Sequence, residues 1–135
     1  MPRNQTKLQA QRELRRKTGE YVALRAIEKL VGDEHRWTLA RNIRRGMYPG
    51  LDPALDDCGV TLLSAYIGVT RDREPRTQQA VLERIRRAVE EVPWMSGVRC
   101  DVGRSWMDVY NNHPTTSHAG LCVLLERVIE GYLSG

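Results

Sequence analysis

Cysteine is scarce in this chain: Cys58, Cys100 and Cys122 are the only three, an odd number without a CxxC spacing. That excludes a disulfide framework and fits free thiols in a reducing compartment. No apolar run approaches the roughly 20 residues that a membrane span needs, and mean hydropathy is −0.51. The opening MPRNQTKLQAQ lacks the apolar core of a signal peptide, so the expected location is cytoplasmic, with no membrane partner. Phenylalanine is absent and arginine far outnumbers lysine, a usage that fits a GC-rich genome. P-loop, GxGxxG, GxSxG and HExxH motifs are all missing, and no cysteine has an activating context. The expectation is a non-enzymatic protein without a cofactor.

The 135 residues suit one domain, or a small core with a helical arm. A hydrophobic share of 41% and a charged share of 28% are ordinary for a globular chain. The net charge of +4 is unevenly spread: residues 1–50 carry +7 and residues 51–135 carry −3. A basic half joined to a mildly acidic one points to a polyanionic partner for the basic half; a solvated basic face is the plainer alternative.

Three short basic helices are expected in residues 1–46. TKLQAQRELRRK reads as a polar helix broken at Thr18-Gly19. Residues 20–31 place Leu24, Ile27 and Val31 on one side, joined by Ala23 and Leu30. Gly32 ends that helix and Asp33 caps a third, running to Arg45 with Trp37, Ala40, Ile43 and Met47 as its stripe. Residues 47–59, with Pro49-Gly50 and three aspartates, form an acidic joint.

Residues 60–135 read as a small β-α-β-β-α core with its helices on one face of the sheet, making the fold class α+β. GVTLLSAYIGVT fits two templates. Leu63, Ala65, Ile67 and Val69 alternate as a strand would, while Leu55, Cys58, Leu62 and Tyr66 fit a helix; a short helical turn followed by a strand is the preferred reading. Residues 76–92 form a helix whose stripe is Val81, Ile85, Ala88, Val89 and Val92, ended by Pro93. Glu83–Arg87, Arg86–Glu90 and Arg87–Glu91 are i,i+4 pairs on its wet side. VRCDV and SWMDVY alternate around Gly103-Arg104 as a hairpin would, and residues 116–133 form a last apolar helix capped by Thr115 or Thr116.

The hairpin register predicts that Val98, Cys100, Val102, Met107 and Val109 face the helices. Trp106 and Tyr110 then lie on the outer face among charges, a docking patch for a protein partner or a base unless the N-terminal helices cover them. His113, His118 and Cys122 stand as H-x4-H-x3-C. Zinc sites use tighter ligand pairs, and Cys122 falls in an apolar stripe, so ordinary loop histidines and a buried thiol fit better. Asp101 and Asp108 offer two carboxylates for magnesium, but Arg99 stands opposite Asp108 and neutralises it.

LQAQRELRRKTGEYVALRAIEKL, residues 8–30, resembles the helix pair of ribbon-helix-helix antitoxin-type repressors, in which a TGE followed by an alanine- and arginine-containing helix is typical. The resemblance implies DNA binding. That family reads bases with a strand before the first helix, and only MPRNQTK precedes Leu8 here, so no base-reading residue carries over. A helix-turn-helix over residues 20–45 has suitable lengths but lacks the usual Ala–Gly spacing. The expected function is therefore nucleic-acid binding, mainly through phosphates, by Arg12, Arg15, Arg16, Lys17, Arg41, Arg44 and Arg45. A regulatory or accessory protein of a phage or mobile element fits that description. The alternatives are a protein-interaction or assembly module, including a homo-oligomer, and a metal-dependent enzyme built on residues 113–122.

Overall fold

The computed structural model describes residues 3–39, 59–101 and 103–135, and among these described residues there are six α-helices. They are α1 (Arg3–Arg15), α2 (Gly19–Val31), α3 (Leu62–Thr70), α4 (Pro75–Glu90), α5 (Ser105–Asn112) and α6 (His118–Ser134). A single turn of 3-10 helix at Pro93–Met95 follows α4. The third basic helix does not start as expected: Asp33 accepts the His35 amide through its side chain, but residues 34–36 form only a turn and Trp37 enters a bridge. Residues 40–45 of that helix, the acidic joint up to residue 58, Cys58 and Val102 lie outside the described residues.

α2 is the central element. Ala23, Leu24, Ile27, Leu30 and Val31 recur at helical spacing and are all buried, against α3, α4 and α6. Burial of each large aliphatic chain contributes about 2 kcal/mol. Thr18 makes α2 possible by ending α1: its hydroxyl accepts the Tyr21 amide at 3.2 Å as the N-cap. The same hydroxyl donates to the Arg15 carbonyl at 2.8 Å, so at 2.5 Å from it the Tyr132 hydroxyl must act as donor. The break in the sequence is thus also a bolt onto α6.

The expected α+β class is overturned. Among the described residues the fold is all-α, and the β-type pairing is one parallel bridge between Trp37 and Val60. The segment expected to form a strand after residue 60 is α3. Thr61 and Ser64 form a reciprocal capping box, each side chain accepting the other's amide at 3.0 and 2.8 Å. From Leu62 the buried positions 62, 65, 66 and 69 follow a period near 3.6, which prevails over the alternation at 63, 65, 67 and 69.

The expected hairpin is overturned for the same reason. Gly103 does adopt a positive φ of 65°, but the chain then enters α5 rather than returning as a strand. Trp106, Met107, Tyr110 and Asn111 are its buried residues, a helical i, i+1, i+4, i+5 set. Of the residues expected inside, Cys100 and Met107 are buried and Val98 is half-buried, whereas Val109 is 44% exposed. The outer aromatic face does not form: Trp106 and Tyr110 are each 1% exposed.

α4 and α6 agree with their sequence patterns. Val81, Ile85 and Val89 form the buried stripe of α4, and on its wet side Arg86 bridges Glu83 and Glu90, each at 2.5 Å. α6 is capped by Ser117, whose hydroxyl accepts the Gly120 amide at 3.0 Å, in place of the expected threonines. Thr116 instead accepts the Trp94 indole at 2.8 Å. No helix of the described residues is long and apolar enough to cross a membrane.

Candidate nucleic-acid interface

The seven cations singled out by sequence separate into three groups. Arg12 and Arg15 point back onto α6. Arg12 makes a two-pronged pair with Glu130 at 2.9 and 3.2 Å and also reaches Ser134. Arg15 donates to the Leu133 and Tyr132 carbonyls at 2.9 and 3.3 Å, satisfying acceptors that the end of a helix leaves open. Arg16, just past the end of α1, pairs with Glu13 in its last turn, and the Lys17 side chain is exposed with no hydrogen bond or ion pair among the described residues. Arg41, Arg44 and Arg45 lie outside the described residues.

A second basic turn joins the first. α3 and α4 are linked by residues 71–74, and Arg71, Arg73 and Arg76 lie in or just after that link. The Arg73 guanidinium donates to the Gly19 carbonyl at 3.5 Å. A methyl group on Gly19 would lie 3.7 Å from that guanidinium nitrogen and 4.0 Å from Thr77. The α1–α2 and α3–α4 turns are therefore neighbours, and Arg16, Lys17, Arg71, Arg73 and Arg76 gather at one end of the bundle. Glu13, Glu20, Asp72 and Glu74 lie in or beside the same turns, so five cations meet four acids, of which Glu20 is paired with Arg84, Glu13 with Arg16 and Asp72, at 3.9 Å, with Arg71.

Arg76 and Gln79 are both exposed and stand three apart on α4. Glu74, the residue before the helix, gives its first turn no side-chain cap. Two helices joined by a four-residue link, with a basic start to the second, have the dimensions of a helix-turn-helix unit. The signal available in the sequence was TRDREPR, three arginines within seven residues; reading it as a strand-to-helix connector hid it.

The residues considered for metal do not form a site among the described residues. His113 accepts the Thr115 amide through Nδ1 at 3.1 Å and tilts against Trp94. His118 Nε2 lies 2.7 Å from the Val31 carbonyl, a contact that requires a proton on that nitrogen. Cys122 Sγ is 3.6 Å from the same nitrogen, which then has no lone pair to take a thiol proton. Burial and the nearby carboxylates of Glu126, Glu28 and Glu34 push the Cys122 thiol up. Cys100 and Cys122 are free thiols, and burial raises Cys100 as well. Arg99 pairs with Asp101 at 3.3 Å rather than with Asp108, which burial pushes above the usual carboxylate range.

No family model, curated protein or solved structure matches this chain.

Proposed function

We propose that this chain is a non-enzymatic protein that binds nucleic acid mainly through phosphates, using the end of the bundle where its two basic turns meet. The observation that carries the reading is the bond from Arg73 to the Gly19 carbonyl, which joins those turns. Arginine pairs with phosphate through two N–H groups and keeps its charge at working pH. Arg76 and Gln79 project from the start of α4, and both residue types bond base edges in a major groove. Phosphate contacts still dominate the expected energy, so selectivity among sequences is low.

Arg12 and Arg15 serve the α1–α6 contact in this reading, and the binding set among the described residues becomes Arg16, Lys17, Arg71, Arg73 and Arg76, with Arg41, Arg44 and Arg45 outside the described residues. The test is affinity for a mixed-sequence duplex measured against salt. Three to five phosphate contacts give a slope of log K on log salt of roughly −3 to −4.5. Absence of binding at about 50 mM salt, where such contacts are strong, would reject the proposal.

A further inference from the structure

A groove of about 730 Å³ lies between α4 and α6, with the buried Tyr110 and with Trp94 among the residues that line it. It lies apart from the basic turns, since it uses the last two turns of α4 rather than the first. Its walls are apolar: Ala88, Val92, Val123, Leu124 and Val128 line it, and Val123 is 44% exposed. On the α6 wall the small residues Ala119, Gly120 and Gly131 flank Val123, Leu124 and Val128. The volume falls inside the roughly 300–1,000 Å³ of small-molecule sites.

Three arginines edge this apolar space. Arg84 is already committed, paired with Glu20 and stacked 4.6 Å over the Tyr132 ring. The Arg87 and Arg127 guanidinium groups are exposed and make no hydrogen bond or ion pair among the described residues, and Arg87 reaches Glu83 only as a weaker, longer-range influence than Arg86. Glu91 is the one acid in the lining, so positive charge remains in excess. Tyr110 is 1% exposed, and its hydroxyl, which has no hydrogen-bond partner among the described residues, keeps its contact with solvent where the residue lines the groove. Burial pushes the Tyr110 phenol up to about 12, so it offers a proton rather than a charge at neutral pH.

We infer that this groove binds a single-chain amphiphile with an anionic head, its tail along the valines and its head held by Arg87 and Arg127. The charge excess selects the head and the apolar walls select the tail. The Tyr110 hydroxyl supplies a donor to an oxygen of a ligand reaching the floor. An inorganic anion leaves the walls uncovered, and a nucleic-acid backbone has nothing apolar to place there.

Calorimetric titration of the full chain with laurate, below its micelle concentration, provides the test. One saturable site is expected, with acetate giving none and dodecyltrimethylammonium, whose tail is one carbon longer and whose head is cationic, binding at least ten-fold more weakly. R87Q/R127Q should lose about ten-fold or more in laurate affinity, and V123E should abolish binding. These residues are exposed, so both variants should retain the parent's melting temperature. Equal binding of the cationic and anionic amphiphiles, unchanged affinity in both variants, or no saturable laurate site would overturn the assignment. Binding of an acidic amphipathic peptide, with none of laurate, would overturn it in favour of a protein ligand.

Discussion

Asn111 accepts the indole N–H of Trp37 through its side-chain oxygen, at 2.8 Å. The same oxygen accepts the Leu62 amide at 3.0 Å, and the side-chain nitrogen donates to the Thr38 carbonyl at 2.9 Å. One 1%-exposed amide thereby ties α5 to the start of α3 and to the segment that follows α2. The Leu62 amide, fully buried, would otherwise be a polar group taken from water without this acceptor.

Replacing Asn111 with alanine should therefore cost about 2–4 kcal/mol, the sum of a small cavity and several orphaned donors and acceptors. Urea unfolding of N111A beside the parent measures it. A loss below about 1 kcal/mol would mean that water takes over the vacated bonds.

The Arg12 guanidinium holds the Glu130 carboxyl below the usual range. A lowered folded value means that the pair's stabilisation is complete above the ordinary glutamate pKa. It is lost as pH falls through the lowered one. Carboxyl chemical shifts should show Glu130 titrating on the acid side of an ordinary glutamate, and R12Q should return it to the normal range. Both side chains reach solvent, so the effect on global stability should be small.

Tyr110 gives the opposite dependence. Its folded phenol sits at about 12, against about 10 for an exposed tyrosine. Its contribution is whole below about pH 10 and declines as pH rises from there, because the unfolded chain ionises first. Y110F should flatten the alkaline limb of stability against pH. Denaturation midpoints between pH 9 and pH 11 in the two proteins decide the matter.

For nucleic acid, the informative comparison pairs two variants. K17Q/R71Q/R76Q removes three exposed cations and should weaken duplex binding while making the salt slope shallower by roughly 2.7. R12Q removes a cation committed to α6 and should leave that slope unchanged. Equal losses from both would point to overall charge rather than to the joined turns.

The helices whose apolar residues recur over three or more turns were legible in the sequence: α2, α4 and α6 fall within a few residues of expectation. α3 and α5 were not. Over eight or nine residues a period of 2 and a period of 3.6 share half their positions. Leu63, Ala65, Ile67 and Val69 satisfied the wrong one. What separates the two is the Thr61–Ser64 capping box and the depth of Trp106 and Tyr110, which is a property of the assembled core. The roles of Arg12 and Arg15 were hidden for a different reason: local sequence displays charge, while their partners lie more than 110 positions away.

The bonds from Arg15 to the last turn of α6 bear on the order in which the chain folds. They span 117 and 118 positions, so they close almost the largest loop the polypeptide contains. Contacts that close long loops repay their entropy only after the intervening structure exists. α1 is polar on all sides, with Leu8 and Leu14 exposed, and brings little apolar area to hasten docking. It should settle last onto a core already built from α2 to α6, and be the first element to detach. Native-state hydrogen exchange would then show α1 amides opening at a lower free energy than those of α2.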